Sequence, residues 1–199
     1  MTISSPRQPD HPIEPLFVDR WSPRAFHPDV LDDKAISLLF EAARWAPSGN
    51  NSQPWRFVYA RNGGKGWEKL FYTLNDNNKR WADKAGLLVL VLSKKVHVRD
   101  GGEPQPLRNH SFDAGAAWAS LAFQAHYLGL RTHAIGGFNR EAARQALSIP
   151  EAFHVEVLIA VGRQAERETL HPDFHEREKP NGRRPIHELA AEGEFPFFD

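Results

Sequence analysis

The sequence predicts a layered fold of helices and strands, either α/β or α+β, and three stretches carry that prediction. Ile36, Leu39, Phe40 and Ala43 fall at i, i+3, i+4 and i+7, which makes one apolar face of a helix. Residues 86–92, GLLVLVL, form an unbroken apolar run of strand length, as a strand covered on both faces does. Residues 111–128 make the longest helical pattern, with one stripe of Ala114, Ala117, Trp118, Leu121, Ala122 and Ala125. Ala116, Ala119, Phe123 and Tyr127 cover another side of it. A helix apolar on two sides is buried on two sides, and in so small a chain a second subunit can supply the second cover.

Taken in order, residues 1–15 are polar and rich in proline and read as an extended arm. Residues 16–199 read as one domain, the default for a chain of this length. A short helix over 16–20 precedes Trp21-Ser22-Pro23. Asp32 or Asp33 caps the next helix, which Pro47 ends, because its ring lacks an N–H and disfavours helical geometry at the preceding residue. Residues 55–60 alternate as a strand does, and 62–66 form a turn that lacks the spacing of a phosphate loop. Short helices are expected over 67–74 and 79–84. Residues 94–109 make a long polar connection, either a lid or a plain surface excursion. Ser111 is positioned to cap the long helix, and Gly129 to follow its end. A strand over 131–135 leads into Gly136-Gly137, Asn139 caps a helix over 141–147, and 154–161 forms the last core strand. The remainder is polar and irregular up to 186–191.

Composition narrows the chemistry. Lys+Arg and Asp+Glu balance at 25 each, so no global field recruits nucleic acid or an anionic membrane. The chain has no cysteine, which excludes disulfides, thiolate metal sites and cysteine nucleophiles. Redox chemistry would therefore need a bound cofactor. The first residues carry no apolar run of the signal-peptide kind, and no stretch approaches the length of a membrane span, so a cytoplasmic enzyme is expected. Ten histidines are present, but no His-Glu-x-x-His occurs, and Pro172 separates His171 from His175, so no metal site is expected. No Gly-x-Ser-x-Gly elbow supports a serine nucleophile.

The most informative stretch is residues 46–57, APSGNNSQPWRF. Six small or amide residues, Ser48 to Gln53, stand between helix and strand. They supply donors and acceptors without net charge, as a planar polar ligand requires; equally, they are ordinary turn formers. With Arg20-Trp-Ser-Pro-Arg-Ala-Phe26, Glu41-Ala-Ala-Arg-Trp-Ala-Pro-Ser48, Asn78-Lys-Arg-Trp81, Asp113-Ala-Gly-Ala-Ala117, Ile135-Gly-Gly-Phe138 and Arg183-Arg-Pro185, this stretch resembles the nitroreductase family of FMN-dependent oxidoreductases. The matches keep the family's order over about residues 16 to 190.

The resemblance implies an α+β fold, with a mainly antiparallel central sheet flanked by helices, and an intertwined homodimer whose C-terminal segment extends onto the partner. It implies FMN as cofactor, with NADH or NADPH as transient co-substrate. It places Arg20, Ser22 and Arg183 at the FMN phosphate, with Trp21 where many members carry His or Arg. Arg24 falls near the flavin N1 and O2, Asn78 at the pyrimidine edge, and Gly136 and Gly137 near N5. Pro47, Ser48, Gly49 and Asn51 fall on the segment reaching the partner's FMN. Trp81 occupies a position that is lysine in some members. For Arg24 the structural alternative is an ion pair with a nearby carboxylate such as Asp29. The implied activity is hydride transfer from NAD(P)H through FMN to a nitroaromatic, quinone or similar electron-poor acceptor by a ping-pong mechanism. Alternatives are a same-fold flavoenzyme with a specific metabolite substrate, such as a dehalogenase or dehydrogenase, and a flavin-sequestering protein with little turnover.

Overall fold

A computed structural model describes residues 7–98 and 102–197. At its centre is β2 (Leu87–Lys94), seven of whose residues are buried. It pairs antiparallel with β1 (Trp55–Arg61) on one side and β6 (Phe153–Arg163) on the other, and β5 (Leu130–Ile135) pairs antiparallel with β6. The order is β1-β2-β6-β5, so the sheet is wholly antiparallel. The expectation of an α+β fold with an antiparallel sheet between helices is met.

Side-chain alternation along β2 divides the core. Leu88, Leu90 and Leu92 point to one face, where they meet Trp67 and Leu70 of α3 (Trp67–Phe71), Trp81 and Ala82 of α4 (Asp76–Ala82), and Ala143 of α6 (Arg140–Ala146). Leu87, Val89 and Val91 point to the other, against Ile36, Leu39 and Ala43 of α2 (Asp33–Arg44) and Ala114, Ala117, Leu121 and Ala125 of α5 (His110–Tyr127). A strand with no polar face needs both layers.

Local chemistry sets the boundaries. Asp32 caps α2 by accepting from the Ala35 N–H at 2.7 Å, and Asn139 caps α6 through the Ala142 N–H at 2.9 Å, as expected. Gly129 follows α5 at φ +72°, a left-handed position suited to glycine. Two expectations need correction. Helix α4 begins at Asp76 rather than near 79, because the Asn75 side chain accepts from the Asn78 N–H. The N-cap of α5 is Asn109, which makes no side-chain cap bond; Ser111 instead donates to Glu156 at 2.7 Å. Within the 94–109 connection, β3 (Val96–His97) pairs with β4 (Gln105–Pro106) in a short antiparallel ladder. Gly101 lies outside the described residues.

Both ends of the described chain make contacts with the rest of the fold. Helix α1 (Pro15–Asp19) follows residues 7–14, whose Arg7 donates to the Val18 and Arg20 carbonyls at 2.9 Å. After β6 the polar tail inserts Phe174, 0% exposed, into the face that holds Trp81 and Leu90. A 3-10 helix over Pro172–Arg177 delivers it. Truncating a fully buried phenylalanine leaves a cavity and costs about 3–5 kcal/mol. Phe174→Ala is therefore expected to lower the denaturant midpoint by that equivalent. An unfolding curve superimposed on wild type would show that the tail is not part of the core.

Candidate active site

The turn between α1 and the isolated bridge at Phe26 runs Arg20 to Ala25, and it lines one wall of a cavity of about 700 Å³. Arg20, Trp21, Ser22 and Arg24 come from this turn, and Arg183 comes from the other end of the chain. Arg7, His133, Arg177, Lys179, Asn181 and one carboxylate, Glu176, complete the lining. Five of the expected site residues thus meet around one space.

The charge there is unbalanced. Burial lowers the pKa of Arg20, and repulsion from Arg183 and then Arg7 lowers it further. Arg20 Nη1 lies 3.4 Å from Ser22 Oγ. Guanidinium groups remain protonated regardless, so the fold holds like charges together at a cost. A phosphate offers oxygens to these planar donors and offsets the repulsion. The donor set fits a phosphorylated ligand.

Arg24 differs. Its nearest carboxylate is not Asp29, which pairs with Arg163, but Glu178, with Arg24 Nη1 3.8 Å from Oε2. The Glu178 side chain is only 2% exposed. Its Oε1 accepts from the backbone N–H groups of Arg24 and Ala25 at 2.8 and 2.9 Å, while Oε2 has no hydrogen-bond partner. A buried carboxylate so placed fixes the backbone of the turn and holds Arg24 beside the cavity. Burial lowers the Arg24 pKa, and Glu178 raises it in part.

Trp81 is buried and does not line the cavity. His133 of β5 does, its ring 4.7 Å from that of Trp81. Its Nδ1 is 2.9 Å from the Pro23 carbonyl, which only accepts, so the neutral ring carries its proton there. Burial is the main cause that pushes the His133 pKa down to about 4; the Pro23 carbonyl opposes it and Arg24 adds to it.

Asn78 and Gly137 are directly joined, with Asn78 Nδ2 donating to the Gly137 carbonyl at 3.0 Å, and Trp81 Nε1 donating to Asn78 Oδ1 at 3.3 Å. An added Cβ at Gly137 would lie 2.5 Å from Asn75 Nδ2 and 2.7 Å from Asn78 Nδ2. That glycine is required by these two amides, whereas a Cβ at Gly136 would meet nothing within 4 Å.

Pro47, Ser48, Gly49 and Asn51 are not part of the cavity lining. Their loop is braced by Gly49 N–H to Asp113 Oδ2 at 3.2 Å and Gln53 N–H to Ser48 Oγ at 3.0 Å. Asn50, Asn51 and Gln53 hold φ of +50°, +52° and +45°. Asparagine tolerates this left-handed region, but glutamine adopts it uncommonly, and such residues cluster at functional sites. Among the described residues, no group of three or more His, Cys, Asp or Glu side chains is placed to hold a metal ion. No helix among them is long and apolar enough to cross a membrane.

Sequence reasoning missed Arg7, His133 and Glu178. His133 sits in an expected strand, but nothing in the pattern marks which face it takes. Glu178 lies in a polar tail without periodicity.

An antiparallel sheet between helical layers, with a guanidinium-rich cavity against it, defines an α+β protein with a cation-lined cavity. A family model described as the nitroreductase family matches residues 18–71 and 65–163, and the chain belongs to that family. A crystal structure described as an oxidoreductase containing FMN is 43% identical, covers 98% of each chain and superposes with a TM-score of 0.94. A Desulfovibrio desulfuricans protein, described provisionally as a nitroreductase and solved in complex with FMN, is 27% identical over 91% of this chain and 96% of that one, with a TM-score of 0.71. A Streptomyces coelicolor protein, named provisionally an NADH dehydrogenase/NAD(P)H nitroreductase, is 25% identical over 83% of this chain and 90% of that one.

Stability should report the His133 environment. With a pKa near 4 in the fold and an ordinary value of 6.5, the unfolded chain binds the extra proton between these values. Stability is then fully present above pH 6.5 and is lost as pH falls toward 4. His133→Asn keeps a donor for the Pro23 carbonyl without the titrating proton. Its stability difference from wild type should shift by up to about 3 kcal/mol across that window. A difference constant with pH would contradict a buried neutral imidazole.

Proposed function

We propose that this chain is an FMN-dependent oxidoreductase that takes hydride from NADH or NADPH and passes it to a small electron-poor acceptor, a quinone or nitroaromatic. The observation that carries this reading is the cavity where Arg20, Ser22, Arg24 and Arg183 converge, in a chain whose relatives include proteins described with FMN. FMN, when bound, supplies the two-electron chemistry.

The chain's own residues supply binding, orientation and field. Arg20, Ser22 and Arg183 would hold the phosphate. Arg24, beside Glu178, would stand where negative charge gathers on the reduced ring and raise its potential. The Asn78–Gly137 pair would meet the polar edge of the ring, with the Gly136 backbone open to close approach. Trp21 would wall the phosphate end. The strained loop of Pro47, Ser48, Gly49 and Asn51 would reach the cofactor of a second subunit, which makes the working form a homodimer. Exposed Trp45, Phe112 and Tyr127 and the second apolar side of α5 support that assembly. Residues 16–199 would act as one cofactor-binding domain, with 1–15 as an arm, in the cytoplasm.

The half-reactions test this. Anaerobic NADH or NADPH should bleach the FMN-loaded protein, and a quinone added afterwards should restore its colour. A protein that binds FMN and stays yellow with both nicotinamides would instead be a flavin-sequestering protein or act on a different donor.

A further inference from the structure

The N-terminal arm contributes more than a chain end. Arg7 Nη1 donates to the Val18 and Arg20 carbonyls at 2.9 Å, and its Nη2 donates to Asn181 Oδ1 at 3.3 Å. The same Asn181 oxygen accepts from Arg183 Nη1 at 3.2 Å. Arg7 therefore links the segment holding Arg20 to the segment holding Arg183, across 174 positions of sequence to Asn181. Three residues along the arm, Asp10 Oδ2 accepts from the Ile186 N–H at 3.0 Å. This second tie falls just past Arg183. All three guanidinium groups line the same cavity.

We infer that the arm is a brace: Arg7 and Asp10 position the C-terminal segment so that Arg183 stands opposite Arg20, and Arg7 adds a third guanidinium to the phosphate pocket. The inference rests on the FMN reading above and concerns residues that lie before the family match, which begins at residue 18. The geometry demands some such device. Arg20, Arg183 and Arg7 repel one another, and the tail that carries Arg183 is exposed and irregular, so without ties it would move its charge away. A ligand phosphate relieves the repulsion but cannot by itself pre-position the donors, and ordering them only on binding costs affinity.

Asp10 separates positioning from plain electrostatics. It carries a negative charge and does not line the phosphate cavity. If only net charge mattered, Asp10→Ala would strengthen binding of an anion. As part of a brace, its loss weakens binding, while Asp10→Asn keeps an acceptor for the Ile186 N–H.

The experiment measures the affinity of FMN and of riboflavin, which lacks the phosphate, for full-length apoprotein by quenching of flavin fluorescence. Arg7→Gln should weaken FMN about tenfold or more and riboflavin by less than about twofold. Asp10→Ala should weaken FMN about three- to tenfold, the worth of one hydrogen bond, and Asp10→Asn should stay near wild type. Should Arg7→Gln fail to fold, the Asp10 pair decides alone. Unchanged or tighter FMN binding by Asp10→Ala, or equal weakening of both flavins by Arg7→Gln, would overturn the brace while leaving the FMN reading intact. Wild-type protein indifferent to both flavins would overturn that reading and the brace with it.

Discussion

A strand with no polar face dictates this molecule. Leu87 to Leu92 present leucine or valine to both sides, and each face must be covered or lose the roughly 1.5–3 kcal/mol that burying each such side chain provides. The odd positions are covered by α2 and α5, the even ones by α3, α4, α6 and Phe174. Hydrogen bonding then fixes what lies beside β2: both neighbours run antiparallel, and β5 joins through β6. The cavity follows from this frame. His133 on β5 and the turn before Phe26, which bridges to Gln164 just past β6, stand at the same part of the sheet.

What the frame gathers there is charge that the fold does not neutralise. Glu178 is committed to the backbone of Arg24 and Ala25, and Asp29 to Arg163. Glu176 also lines the cavity, but the charges that act on Arg20 are Arg183 and Arg7, so Arg20 is left among cations. The same economy of roles appears in the neutral pair behind the cavity wall. Buried Trp81 and the uncharged imidazole of His133 add no cation, so the local positive field comes from arginines and Lys179 alone. In the proposed enzyme, the field at the reacting ring would then depend chiefly on Arg24, and binding on the arginines at the far end.

Much of the frame was legible in the sequence because periodicity reports burial directly. The run at 86–92, the stripe on 36–43 and the caps Asp32 and Asn139 each express one local physical rule. Features set by distant partners were not legible. Ser111 has the chemistry of a cap, but the Glu156 carboxylate competes for its hydroxyl. Asn75 caps α4 from a stretch of three amides and an aspartate, where no periodicity marks the start, so the helix begins three residues before the expected Lys79. Phe174 and Glu178 sit in a stretch of charged residues with no period, and only the tertiary fold brings them inside. Resemblance named individual candidates, of which Arg20, Trp21, Ser22, Arg24 and Arg183 line one cavity, but not their connections. Gly137 illustrates the difference: a Cβ there would press on the side-chain amides of Asn75 and Asn78. Arg7 lies in an arm whose sequence shows only a polar, proline-rich, extended segment, yet it bonds to the Arg20 carbonyl and to Asn181.

The proposed function requires the arginine-rich cavity to hold a phosphorylated flavin. The absorption spectrum of protein purified without added cofactor, followed by heat release and chromatography of the supernatant, tests it most directly. The two bands of oxidised flavin, and release of FMN in place of riboflavin, are the expected result. A colourless protein that remains so after incubation with FMN and desalting would contradict it.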